Sequence, residues 1–244
     1  MGFAWAPLLA ELALEHNLHA ACCEAGGRVV HGAETPCLTR ERPVWMPYLD
    51  DYSKLHRTAD EATGDRVCQE DRGRCRAVFG GNGLAVHKDG SGRFFESVGM
   101  EVYLEAGSRR VLPKQQKFSA LLMATACAAK APRLAPRQLA RVLGHWAWWL
   151  CLEPALFSVL SAVYGFTRPE GMDYHQWRLR EGGVPVEVPE EVRAELRMLL
   201  RLAPFVRADL EWEVDARVCM TDACPAGGAA CYADKDPAEV RRLI

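Results

Sequence analysis

Tyr48-Leu49-Asp50-Asp51 places two adjacent carboxylates directly behind the apolar run Pro43-Val44-Trp45-Met46-Pro47-Tyr48-Leu49. A strand of this kind buries one face and delivers its acids to a turn, because a paired carboxylate is costly to bury without a neutralising cation. Residues 44–49 and 52–55 are therefore expected to flank the pair as a hairpin. Pro43 and Pro47 weaken that pairing, since proline donates no ladder hydrogen bond. A hard divalent ion suits such a tip, Mg²⁺ first and Mn²⁺ as its alternative, because it prefers oxygen ligands and a phosphate partner. The plain alternative is a solvated surface turn.

The 244 residues allow one large or two small domains, and 49% apolar with 25% charged residues is ordinary for a folded protein. No window approaches the roughly 20 uncharged apolar residues of a membrane helix. The first residues are apolar but carry Glu11, Glu15 and His16, which argues against a signal peptide. The ten cysteines are irregularly spaced and contain no CxxC pair, so a zinc site is not expected. They read as reduced thiols of an intracellular protein, nuclear or cytoplasmic.

Net charge is −2, yet residues 106–152 contain no Asp or Glu. Arg109, Arg110, Lys114, Lys117, Lys130, Arg133, Arg137 and Arg141 all lie in that stretch. A locally basic segment in a neutral chain is either a footprint for phosphates or a solvated face balanced by acids elsewhere.

Periodicity predicts a helix over 6–21, with Pro7 in its first turn, and a charged surface helix over 60–79 ended by Gly80-Gly81-Asn82-Gly83. Residues 84–86 read as a short strand and 93–104 as a strand pair or one long strand. Pro113 opens a helical region with Phe118, Leu121, Leu122, Thr125 and Ala129 on one face. A following helix aligns Leu139, Val142, Leu143, Trp146 and Trp149. Aromatic stacking on bases is conceivable for Trp146, Trp148 and Trp149, but spacing assigns Trp146 and Trp149 to the core. A third helix is expected over 153–164, a connector over 165–189, a helix over 190–202 and a short strand over 216–221.

Several blocks then fall in a telling order. Met1-Gly2-Phe3-Ala4-Trp5-Ala6-Pro7 is a Gly-bearing turn before a helix. Tyr48-Leu49-Asp50-Asp51 has the form YxDD. Gly83-Leu84-Ala85-Val86-His87-Lys88 carries a lysine after a small strand-like run. Phe94-Phe95-Glu96-Ser97-Val98-Gly99-Met100-Glu101-Val102 reads as an aromatic hairpin. Leu112-Pro113 and Leu143-Gly144-His145 mark the helices, and Val218-Cys219-Met220-Thr221-Asp222-Ala223-Cys224 ends a strand on an acid. In this order the chain resembles the reverse transcriptases of retroelements, particularly those of tyrosine-recombinase retrotransposons.

The resemblance implies an α+β fold. Residues 1–105 would be the later part of a polymerase palm, a hairpin plus helices. Residues 106–172 would be a helical thumb or connection, and 173–244 a connector and the start of a ribonuclease H-like sheet. It implies RNA-directed DNA polymerase chemistry, a nucleotidyl transfer using two Mg²⁺ ions about 3.5–4 Å apart. Asp50 would bind metal directly and Asp51 would support it. Lys88 would protonate or neutralise the leaving phosphates, or be a solvated loop lysine. Gly2, Phe3 and Tyr48 would contact nucleotide or template. Val98, Gly99 and Met100 would form the primer grip, and Asp222 would be the first ribonuclease H metal ligand or a strand-end turn acid. The partners would be an RNA or DNA primer–template and dNTP, with Arg109, Arg110, Lys114, Lys117, Arg133, Arg137 and Arg141 on the nucleic-acid backbone.

The family supplies another palm carboxylate and the fingers upstream of the Gly-bearing block, where this sequence starts. Ribonuclease H also needs acids on later strands. The expectation is a truncated fragment, inactive alone. The alternatives are a non-catalytic nucleic-acid-binding module using residues 109–141, and an unrelated helical scaffold.

Overall fold

The computed structural model describes residues 6–21, 23–30, 32–48, 51–167, 183–213, 215–224 and 227–240, with the backbone alone for 219–224 and 227–230. The chain is mixed α+β with small sheets and divides into two units, residues 1–208 and 209–244. Among the described residues no helix is long and apolar enough to cross a membrane.

The larger unit begins with α1 (Ala6–Ala20). Leu14 and Leu18, one turn apart, are buried with Cys23 and Trp45, whereas Leu8, Leu9 and Leu12 on the other side are about half exposed. Strands β1 (Val44–Tyr48) and β2 (Asp51–Leu55) form the expected hairpin, in register from Val44↔Leu55 to Tyr48↔Asp51. Pro47 is tolerated because β1 is an edge strand, paired with β2 on one side and, among the described residues, bridged on the other only between Trp45 and Arg28. Trp45 carries the packing of this hairpin on α1. It is 1% exposed, donates its indole N–H to the Glu24 carbonyl at 2.8 Å, and meets His19 edge-on. Gly27 must be glycine here, because a Cβ would lie 2.2 Å from the Pro43 carbonyl oxygen.

Helix α2 (Glu61–Gly81) starts where Asp60 accepts the Thr63 N–H at 2.8 Å. Its far end is tied to α1 by the Asn82 amide donating to Asn17 Oδ1. Residues 84–86 are not the expected strand. Gly83 turns the chain with φ of +73°, and the Leu84 N–H bonds back to the Phe79 carbonyl, so the segment closes the helix end without reaching a strand partner.

Strands β3 (Phe94–Ser97), β4 (Met100–Tyr103) and β5 (Arg110–Pro113) form an antiparallel meander. The third strand was not foreseen. Pro113 closes β5 rather than opening a helix, and α3 (Gln115–Lys130) starts beyond it, with the Gln115 N–H capped by the Glu101 carboxylate at 3.1 Å.

The helical part continues through β6 (Arg133–Leu134), α4 (Pro136–Leu150), α5 (Ser161–Thr167), β7 (Val186–Glu187) and α6 (Glu190–Leu202). Its core contains Leu121, Leu139, Leu143, Trp146, Trp149, Leu150, Leu160, Val163, Val188, Val192, Leu196 and Leu199. The single helix expected over 153–164 is broken into a 3-10 turn (Pro154–Val159) and α5. The Glu195 carboxylate accepts the N–H groups of Ala162 and Val163 at 2.8 Å each, which fixes a new helix start there.

Trp146 is 1% exposed and its indole N–H donates to Thr125 Oγ at 2.8 Å, while the Thr125 hydroxyl donates to the Leu121 carbonyl. Thr125→Val should therefore strand a buried donor and lower stability by about 1–3 kcal/mol in urea titrations. An unchanged midpoint would mean the indole finds another acceptor.

A two-residue strand β8 (Ala208–Asp209) spans the point in the chain where the two units divide. In the smaller unit β9 (Arg217–Cys224) and β10 (Gly227–Asp234) form a hairpin longer than the strand expected over 216–221. Arg217 closes its open end by pairing with Asp234 at 3.0 Å and lying over the Tyr232 ring.

Candidate nucleic-acid interface

The acid-bearing hairpin is held from behind by a buried ionic cluster. Alternate residues put Tyr52, Lys54 and His56 on one side of the β2 strand. There Lys54 and His56 meet Asp71 on α2, which is 7% exposed. Asp71 Oδ2 takes Lys54 Nζ at 2.7 Å and His56 Nε2 at 2.6 Å, and its other oxygen pairs with Arg74. Burial pushes the Asp71 carboxyl up, but the hydrogen bonds from His56, Lys54 and Arg74 outweigh it and hold the group well below the usual carboxylate range.

Beside this cluster the Tyr52 hydroxyl lies 3.2 Å from Cys23 Sγ. Burial first, and then the Cys23 contact, push the phenol far above its ordinary range. Burial pushes the Cys75 thiol up to about 11, with Cys23 and Asp71 adding to it, and burial also raises Cys68. Thiols raised in this way are poor nucleophiles at neutral pH. The sequence reading missed the whole cluster. Its signal was the alternation Tyr52, Lys54, His56 against Cys68, Asp71 and Cys75 at helical spacing.

Of the residues expected at the tip, Gly2, Phe3 and Asp50 lie outside the described residues. Tyr48 ends β1, Asp51 opens β2, and both are exposed. Lys88 is exposed in the loop after α2, beside Asp89, which pins that loop by accepting Arg72 at 2.9 Å and Arg76 at 2.6 Å. The Asp222 backbone sits within β9 opposite Ala229, in the smaller unit. Among the described residues no group of three His, Cys, Asp or Glu is placed to hold a metal ion.

A hydrogen bond of 2.8 Å between Ser53 Oγ and Ser97 Oγ joins the acid hairpin to the β3–β4 hairpin. The turn of the second hairpin is Val98-Gly99, with φ of +49° and +77°. Two left-handed residues suit the twist of a two-residue hairpin, but a β-branched residue at the first is strained. Strain of this kind costs about 1–3 kcal/mol and gathers at functional turns. Val98→Asn should raise stability by about 1 kcal/mol, read as a higher urea midpoint. A lower midpoint would show that the valine side chain packs well enough to offset its backbone.

That turn abuts the helices. A Cβ on Gly99 would sit 3.7 Å from the Trp149 ring and 4.0 Å from Lys117 Nζ, and the Lys114 N–H donates to the Gly99 carbonyl at 3.3 Å. Met100 packs on the helical core. The residues expected as primer grip are thus brought to the basic helices.

The basic residues divide by environment. Lys114 is neutralised by Glu96, and Arg110 lies over the Tyr103 ring. Arg109 is exposed in the turn before β5, and Lys117 is exposed on α3. Arg133 donates to the Pro185 carbonyl at 3.0 Å. Arg137, Arg141, Gly144, His145 and Trp148 are all exposed on α4, at spacings that make one stripe opposite the buried Leu139, Leu143, Trp146 and Leu150. Trp148 is 40% exposed, so of the three indoles it alone stands at the surface. A Cβ on Gly144 would meet nothing within 4 Å, so packing does not require glycine there. The stripe combines guanidinium groups, which suit phosphates, with an indole face, which suits a base.

No protein-family model, curated protein or solved structure matches the chain.

Proposed function

We propose that this chain is a nucleic-acid-binding protein of reverse-transcriptase ancestry that grips a primer–template along α4. The stripe Arg137, Arg141, Gly144, His145 and Trp148 carries the reading. It sits within a stretch free of Asp and Glu, and it offers charge for phosphates and an exposed ring for a base. The linked hairpins support the ancestry. Ser53 and Ser97 couple the YxDD hairpin to the Val98-Gly99 turn, and that turn rests against α3 and α4. In this reading 1–105 is palm-derived, 106–172 thumb-like, and the β9–β10 hairpin a ribonuclease H-like remnant. Asp50 and Asp51 would be the acids that hold Mg²⁺ in that ancestry, with dNTP as the small substrate, and the chain alone is expected to lack nucleotidyl transfer.

Binding and chemistry separate cleanly in this arrangement. A labelled RNA–DNA or DNA–DNA primer–template titrated by fluorescence anisotropy should bind the wild type at low salt, with or without Mg²⁺. Asp51→Ala should bind as tightly or more so, because it removes an acid that repels phosphate. No binding at low salt, or binding abolished by Asp51→Ala, would contradict the proposal.

A further inference from the structure

A cleft of about 430 Å³ opens beside the short β6–β7 ladder, lined by Pro132, Arg133, Glu187 and Arg193. The backbone framing it is fixed. Arg133 pairs with Glu187 and Leu134 with Val186 across the ladder, and the Val188 N–H bonds to the Pro132 carbonyl. Arg193 reaches in from α6 and donates Nη2 to the Val188 carbonyl at 2.8 Å. Its Nη1 also pairs with Glu190 at 4.0 Å, a carboxylate that it shares with the closer Arg197. Arg193 Nε is buried and has no hydrogen-bond partner among the described residues. That nitrogen is closed to solvent and is not itself a ligand, but it leaves the guanidinium charge under-compensated at the cleft wall, which favours an arriving anion. Arg133, an exposed residue of the lining, spends one donor on the Pro185 carbonyl. Among the described residues the lining holds two guanidinium groups and one carboxylate, and planar forks of this type match phosphate oxygens.

We propose that this cleft is a phosphate site, and that the phosphate it takes belongs to the nucleic-acid backbone lying along α4. The inference rests on the function proposed above and extends it. Arg133 directly precedes α4, and Arg137 and Arg141 follow at successive turns of its exposed face. A strand tracking that face reaches the cleft at the helix start. Glu187 tunes the site, since it is the one acid in the lining among the described residues.

The test uses the full chain and two probes. With inorganic phosphate, compared with chloride at equal ionic strength, the unfolding midpoint of wild type should rise. The rise should be larger in Glu187→Gln and smaller in Arg133→Gln and Arg193→Gln. Glu187→Gln is a gain, so the test does not depend on a variant that folds poorly. With a labelled primer–template, Arg133→Gln should weaken binding about tenfold, the worth of one charged hydrogen bond, and Glu187→Gln should tighten it. Phosphate effects identical in all four proteins would overturn the site. A phosphate pattern as expected, with primer–template affinity indifferent to Arg133→Gln and Glu187→Gln, would overturn its assignment to the nucleic-acid backbone. If that phosphate pattern appears and no primer–template binds at all, the function proposed above fails while the anion site stands.

Discussion

Asp71→Asn should lower stability by about 3–5 kcal/mol, the cost of breaking a buried ionic cluster from one side. The amide keeps the shape and removes the charge. Lys54, whose side chain is 8% exposed, would then be a cation in the interior with no carboxylate, beside His56 and Arg74. The acid limb of the stability profile should change with it. The Asp71 carboxyl is held below its unfolded range, so the unfolded chain binds more protons and stability rises with pH. That contribution is complete above the unfolded value near 4 and is lost as pH falls through the lower folded value. Wild type should therefore lose stability below about pH 4, while Asp71→Asn should lack that component. Urea titrations across that range measure both. A variant within about 1 kcal/mol of wild type would show that Lys54 swings into water and that the cluster does not hold the hairpin.

Gly144→Ala and Trp148→Ala should act on binding with different effects on folding. An exposed glycine inside a helix costs about 1 kcal/mol relative to alanine, so Gly144→Ala should stabilise the chain. Placing a methyl between Arg141 and Trp148 should at the same time hinder close approach of a nucleic-acid backbone. Trp148→Ala should remove a stacking surface worth about 1–3 kcal/mol per base, a loss of roughly tenfold to a hundredfold in affinity. Its fold should be nearly unaffected, because the buried indoles are Trp146 and Trp149. If Gly144→Ala stabilised the chain and bound nucleic acid as well as wild type, the glycine would have no part in binding.

Much of the fold was legible because local signals agreed with long-range packing. Pro7 and the leucines that follow mark α1, Asp60 caps α2, and Val98-Gly99 turns a hairpin between aromatic strands. Trp146 and Trp149 were assigned to the core by spacing, and both are buried. The misreadings share a cause, since each depended on a partner outside the segment itself. The strand β5 exists because β4 is beside it, the break before α5 because Glu195 reaches across from α6, and residues 84–86 fold back on Phe79. The buried cluster was hidden for a related reason. Lys54, His56, Asp71 and Arg74 look like surface residues until the hairpin is laid on α2. The α4 stripe was legible as charge, but the exposure of Trp148 rather than its neighbours needed the helix packing.

The salt dependence of primer–template binding tests the central claim most directly. Each phosphate neutralised on a duplex releases counterions, so log affinity should fall linearly with log salt, with a slope of about −0.9 per contact. Arg133→Gln, Arg137→Gln and Arg141→Gln together should weaken binding and flatten that slope by about two to three, with sequence preference unchanged. Binding that is absent at low salt, or a slope indifferent to the three substitutions, would contradict the assignment of α4 as the nucleic-acid face and leave it a solvated basic helix.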